Sequence, residues 1–224
     1  MTTANNIKSY GVVFFDLDGT LIDSEECITK SVQFALNQLN IDETDPDILR
    51  SFIGPPLRDS FRHQYSLTDK QINQARIDFK QYFMDYGIQK NYVYPGILDL
   101  LWILRASETF LMVATTKPKD LAEEVLKHLD LLPFFKHVIG GTETGIKSTK
   151  SGIIEESIRL LPNGLDTNVV MVGDYTGDVT GAKANGIDSI AVTYGFGKEK
   201  ELLNANPTYI ASSVEDLRNI LIGL

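Results

Sequence analysis

The stretch Gly11-Val12-Val13-Phe14-Phe15-Asp16-Leu17-Asp18-Gly19-Thr20-Leu21 decides how the rest of the chain is read. A continuous apolar run of strand length suits the centre of a parallel sheet covered on both faces. Its abrupt end in two acids puts them at the carboxyl edge of that sheet, where open α/β folds bind ligands. Two carboxylates so close repel each other unless a cation lies between them or one of them holds a proton. Gly19 allows a sharp turn whose amides can face an anion. Taken alone, the pair fits an acidic turn as well as it fits a chemical site.

Four later segments have the same strand character: Thr109 to Ala114, His137 to Gly140, Asn168 to Val172 and Ser189 to Thr193. Helix-length stretches separate them, the alternation of right-handed βαβ units. Between Asp23 and Tyr92 the alternation gives way to helical patterning in Ser24 to Asn40 and Thr68 to Tyr86, broken at Gly54-Pro55-Pro56. Ser24 is expected as an N-cap, and Thr68 with Gln71 as a capping box. Tyr94-Pro95-Gly96 punctuates the return. The expectation is a doubly wound, mainly parallel α/β core formed by residues 1–23 and 93–224, carrying a small α-helical cap over residues 24–92.

The strand Val169 to Val172 runs into Gly173-Asp174, with Asp178 four residues further on. A helix starting near Tyr175 would turn Asp178 back to the edge that carries Asp174. Such oxygen donors suit magnesium. His63, His128 and His137 show no metal-ligand spacing and read as surface or packing residues. Thr115-Thr116-Lys117 offers hydroxyls and amides to an anion at another strand end, although Thr115 by itself reads as an N-cap for the helix after Pro118. Lys147-Ser148-Thr149-Lys150 leads into a helix over Ser151 to Leu161 and places a lysine at its entrance.

Composition narrows the partners. The 224 residues are 43% hydrophobic and 23% charged, so a packed core is expected. A net charge of -9 without a basic stripe argues against nucleic acid and membrane surfaces as partners. The runs Lys117-Pro118-Lys119 and Lys198-Glu199-Lys200 read as solvated surface. Cys27, the only cysteine, excludes an intrachain disulfide; it follows Glu25 and Glu26 and reads as a packing residue rather than a reactive thiol. Met1 to Lys8 lacks a signal-peptide pattern and no apolar run reaches membrane-spanning length, so a cytoplasmic protein is expected.

In their order, these segments resemble the four signatures of the haloacid dehalogenase-like hydrolases, in particular the phosphoglycolate phosphatase-like branch. Asp16-Leu17-Asp18-Gly19-Thr20 resembles the first, Thr115 the second, Lys150 the third, and Gly173-Asp174 through Asp178 the fourth. The resemblance implies a phosphatase acting on a small phosphorylated metabolite such as phosphoglycolate or a nucleoside monophosphate. It implies Asp16 as nucleophile and Asp18 as acid and base, with magnesium held by Asp16, the Asp18 backbone, Asp174 and Asp178. Leu17, Asp18, Thr115, Thr116 and Lys150 are implied to hold the phosphoryl group. A sugar phosphomutase would share the motifs, but its cap presents an Arg-x-Asp-Ser arrangement, whereas here Leu57-Arg58-Asp59-Ser60 shifts the arginine by one place. A phospho-receiver module would carry its aspartate on a later strand. The sequence leaves the substrate and a homodimer open.

Overall fold

A computed structural model describes residues 10–142, 149–162 and 168–223. Six parallel strands form one sheet in the order β5-β4-β1-β6-β7-β8. These are β1 Val12–Phe15, β4 Phe110–Pro118, β5 His137–Gly141, β6 Val169–Gly173, β7 Asp188–Val192 and β8 Tyr209–Ala211. β1 lies inside the sheet, and its four residues are fully buried, as an apolar run without polar alternation requires. On one face Val13, Phe15, Val113 and Val172 pack with Leu100, Leu101, Val125 and Leu217. Those last four belong to α5 (Ile97–Ala106), α6 (Lys119–His128) and α10 (Val214–Ile222). On the other face Val12, Phe14, Met112 and Met171 meet Ile153, Ile154 and Ala182 from α7 (Lys150–Arg159) and α8 (Thr176–Ala184). The architecture is therefore α/β and doubly wound.

Strand register decides where the acids fall. Phe15 is level with Val113 of β4 and Val172 of β6, so Asp16 lies beside Ala114 and Gly173, one step short of Thr115 and Asp174. A single sheet edge thus gathers residues far apart in sequence. The chain leaves the core through β2 (Ile22–Asp23) and returns through β3 (Tyr92–Val93), and the two pair antiparallel. Between them lie α1 (Glu25–Gln38), α2 (Pro46–Arg50), α3 (Leu57–Tyr65) and α4 (Asp69–Tyr82), followed by a π-helical turn, Phe83–Gly87. Their apolar side chains, among them Val32, Phe61, Ile72 and Phe83, form one continuous cluster with Phe52 of the α2–α3 link and a face of the sheet.

Several local expectations need correction. Thr68 and Gln71 do form a capping box, but Ser24 makes no cap; the Asp23 carboxylate accepts from the Glu25 N–H at 3.0 Å instead. Thr115 is not an N-cap either, because β4 continues to Pro118 and Pro118 itself precedes α6. The register of β4 against β5 shifts between Ala114 and Pro118. That irregularity carries Lys117 inward, and it is 8% exposed rather than solvated. Strand β8 and helices α2, α3, α9 (Glu199–Asn204) and α10 add to the elements expected from the sequence. Cys27 is buried as expected, but burial more than its neighbouring acids pushes its thiol up to about 11.

Candidate active site

Asp16 follows β1 directly and is 3% exposed, with its N–H donating to the Val172 carbonyl at 2.9 Å. Asp174 follows β6, and Asp178 lies in the first turn of α8, where its Oδ2 accepts from the Tyr175 N–H at 3.0 Å. One oxygen each from Asp16, Asp174 and Asp178 can be chosen so that all lie within 4.8 Å of one another. Gly173 makes this approach possible, since a Cβ there would stand 2.1 Å from the Asp178 carboxyl carbon.

Lys150 opens α7 and points its Nζ into this cluster, 2.9 Å from Asp16 Oδ1 and 2.7 Å from Asp178 Oδ1. It also donates to the Ala114 carbonyl at 3.0 Å. Burial opposes its charge, but the two carboxylates outweigh burial and hold its pKa above the usual lysine range. Asp174 meets no such cation among the described residues. Its Oδ1 accepts from the Thr20 hydroxyl at 3.3 Å, and its Oδ2 from the N–H groups of Phe196 and Gly197 at 2.8 and 3.3 Å. Burial, then the charges of Asp16 and Asp178, push its carboxyl up to about 8. Burial likewise raises Asp178 to about 6, with Lys150 working against it.

Three carboxylates against one ammonium leave surplus negative charge. Asp16 Oδ1 and Asp178 Oδ1 touch Lys150 but accept no aligned hydrogen bond, so both buried oxygens retain coordinating capacity. With only oxygen donors converging, the set fits a hard divalent cation such as magnesium. The three histidines lie on the exterior.

Asp18 turns the other way. Both of its oxygens accept from Lys117 Nζ, at 3.0 and 3.1 Å, and that ammonium lies 4.7 Å from the centre of the Phe83 ring. Lys117 carries no local signal of burial, since a charged run beside a proline looks solvated. Thr115 is 1% exposed, and its hydroxyl oxygen accepts from the Lys117 N–H at 3.2 Å. Thr116 donates its hydroxyl to the Gly54 carbonyl at 2.7 Å, joining the sheet edge to the helical segment. Leu17 buries its side chain, leaving only its backbone to face an anion. The amides of Gly19, Thr20, Leu21 and Ile22 all bond within their own turn, contrary to the expectation that they face a ligand. Lys147 lies outside the described residues.

Above Asp16 and Lys150 opens a cleft of about 340 Å³, walled by Pro55, Pro56, Asp59 and Tyr175. A smaller recess of about 40 Å³ reaches Asp18 and Lys117 between Phe52, Leu57 and Phe79. Gly54, Pro55, Pro56 and Thr116 border both.

The pattern describing haloacid dehalogenase-like hydrolases matches residues 13–192. The chain is 40% identical to a 5'-nucleotidase of Pseudomonas aeruginosa, across 95% of this chain and 96% of that one. It is 30% identical to the tyrosine-protein kinase PtkA of Mycobacterium tuberculosis, across 96% of this chain and 73% of that protein. The crystal structure of a predicted phosphatase from Clostridium acetobutylicum superposes with a TM-score of 0.88 at 39% identity, covering 97% of this chain and all of that one. With Asp16 beyond the first strand, Lys150 and Asp174 converging on it, and a family match spanning that whole constellation, the chain belongs to the haloacid dehalogenase-like hydrolases.

Proposed function

We propose that this hydrolase is a magnesium-dependent phosphatase that cleaves a small phosphate monoester through a phosphorylated Asp16, with residues 24–92 acting as its cap. The observation carrying this reading is the division of labour between the two aspartates of one loop: Asp16 faces the acid cluster and Lys150, while Asp18 faces the recess and Lys117. In the first step an Asp16 oxygen forms a bond to phosphorus, the bond to the ester oxygen breaks, and Asp18 gives that oxygen a proton. In the second step Asp18 takes a proton from water as the water oxygen attacks phosphorus. The bond to Asp16 breaks, and inorganic phosphate leaves.

Lys150 fixes the Asp16 carboxylate and neutralises part of the cluster. Thr115 and the amides of Leu17 and Asp18 are assigned to the phosphoryl oxygens, where positioned charge supplies most of the catalysis. The hydroxyl of Thr116 is turned to Gly54, so its part is to hold the edge of the cleft. Magnesium, held by Asp16, Asp174, Asp178 and the Asp18 carbonyl, would supply charge neutralisation at the phosphoryl group.

Arg58 supports hydrolysis over sugar phosphomutation, because it pairs with Asp69 at 2.7 Å. The receiver reading needs an aspartate at the edge position of β4 nearest Asp16, where Thr115 stands instead. No described helix is long and apolar enough to cross a membrane, and we place the enzyme in the cytoplasm. The test is a screen of phosphate esters with magnesium and with excess chelator, joined to acid-quench trapping of phosphoprotein. Magnesium-dependent release of phosphate, with label on Asp16, is expected. Full activity in chelator, or label on another residue, overturns the reading.

A further inference from the structure

We propose that the cleft selects by leaving-group charge, with Asp59 favouring neutral or cationic alcohols over those that carry a second anion. This rests on the phosphatase reading and names the substrate class of that same site. Among the described residues, each cation reaching the cleft or the recess is already matched. Lys150 lies between Asp16 and Asp178, and Lys117 is held by both Asp18 oxygens with its remaining side against Phe83. A leaving-group carboxylate could recruit Lys117 only by stripping Asp18 of its partner in a site where both are 8% exposed.

Beyond the hydroxyls of Thr149 and Tyr175 and the backbone of Gly54 and Gly177, the walls give an anion little else. Pro55 and Pro56 have no N–H to donate, and the Thr116 hydroxyl is engaged by Gly54. The N-terminus of α3 would attract negative charge, but Asp59 lies in that first turn and already offsets it. Asp59 is exposed on the cap side of the cleft and makes no ion pair among the described residues, while its neighbours Arg58 and Arg62 both go to Asp69. A second anion would therefore meet an unmatched carboxylate. A neutral alcohol would instead meet prolines and the exposed Tyr175 ring, surfaces that suit an uncharged leaving group such as a nucleoside.

Three esters of matched length separate the charge effect from size: phosphoglycolate, hydroxyethyl phosphate and phosphoethanolamine, bearing a negative, neutral and positive end. In the magnesium-loaded protein, kcat/KM for the neutral and cationic esters should exceed that for phosphoglycolate by about tenfold, the effect of one like charge near a protein surface. Where turnover is slow, inhibition constants against p-nitrophenyl phosphate give the same ranking. Asp59→Asn should narrow the gap and Asp59→Lys close or invert it, with thermal melts showing that both variants fold. Phosphoglycolate equal to or better than the neutral ester, or a gap unchanged in Asp59→Lys, overturns the proposal. Failure to hydrolyse even p-nitrophenyl phosphate would instead sink the phosphatase reading beneath it.

Discussion

In the acid cluster at the base of the cleft, Asp16 and Asp178 share one ammonium, Lys150, with Asp174 beside them, whereas in the recess Asp18 has Lys117 to itself. Both groups are buried, and both use the same two residue types. The floor is electrostatically unfinished: it needs a proton or an added cation, and its raised aspartate pKa values express that need. The recess is complete, with two charges and an aromatic ring satisfying one another. On the proposed function the cluster that accepts a cation and a phosphoryl group is the one built with a deficit, and the pair that holds a side chain still is built without one.

The comparison breaks most sharply at the nucleophile. Asp16→Asn should abolish phosphoprotein formation and lower turnover by on the order of 10⁴–10⁶-fold, as removal of a catalytic nucleophile does. Rapid-quench labelling reads it directly, and normal turnover would end the assignment. Asp18→Asn should lower turnover by on the order of 10²–10⁴-fold. With an ester whose leaving group needs no proton, its phosphoprotein should accumulate, because the second step still lacks a base.

Lysine substitutions sharpen the contrast between complete and incomplete sites. Lys117→Met leaves Asp18 buried without its partner, and a stability loss of about 3–5 kcal/mol is expected. Magnesium should not restore it. Lys150→Met should also destabilise the protein in chelator, but magnesium should recover part of that loss, since the cation supplies charge to the same oxygens. Denaturant unfolding of both variants with and without magnesium makes the test, and equal recovery in the two would erase the distinction.

The acid cluster also fixes a sign for pH dependence. Asp174 at about 8 and Asp178 at about 6 lie above the ordinary aspartate value of 3.8, so the native state holds more protons than the unfolded chain between those limits. In chelator, stability should therefore fall as pH rises from about 4 to about 8. Magnesium competes with those protons, so the stabilisation it gives should grow over the same range, to about 2.7 kcal/mol at a hundred times its dissociation constant. Melting temperatures at pH 5 and pH 8 check both slopes, and stability rising with pH in chelator would refute the cluster's electrostatics.

The smallest expected effect concerns how Asp174 is held. The Phe196 and Gly197 N–H groups bond its Oδ2, and a Cβ on Gly197 would come 1.7 Å from its carbonyl oxygen. Gly197→Ala should push this loop away and weaken cation affinity by about 10–100-fold, the usual cost of losing a partner that orients a ligand. Manganese titration by calorimetry measures this without turnover, and unchanged affinity would remove the loop's role.

Much of this arrangement was legible in the sequence, because buried parallel strands are continuous apolar runs and an acid placed directly after one must lie at the sheet edge. Val12 to Phe15 and Val169 to Val172 needed no further information to locate Asp16 and Asp174. Lys117 was unreadable for a converse reason. Its burial comes from the register shift in β4 and from Phe83, contributed by a π-helical turn far away in sequence, and neither leaves a local signature. Ser24 misled because its residue type suits a cap, while Asp23, one place earlier, reached the same amide region first. Residues whose environment is made by their own segment could be read; those whose environment is made by another segment could not.

The short ribbon of β2 and β3 has a consequence for how such a chain can change. Ile22 pairs with Val93, Asp23 with Tyr92, and the Tyr94 N–H bonds the Leu21 carbonyl at 3.1 Å. Topologically, everything from Ser24 to Asn91 is the connection of one β-hairpin, a place ordinarily filled by two residues. The chain joins sheet and helices only through those paired ends, and closing a longer connection costs about 0.6 kcal/mol per doubling of its length. The helical segment can thus be lengthened, shortened or exchanged while Asp16, Lys150 and Asp174 keep their register. The ribbon is the joint at which one sheet edge can be fitted with different helical segments.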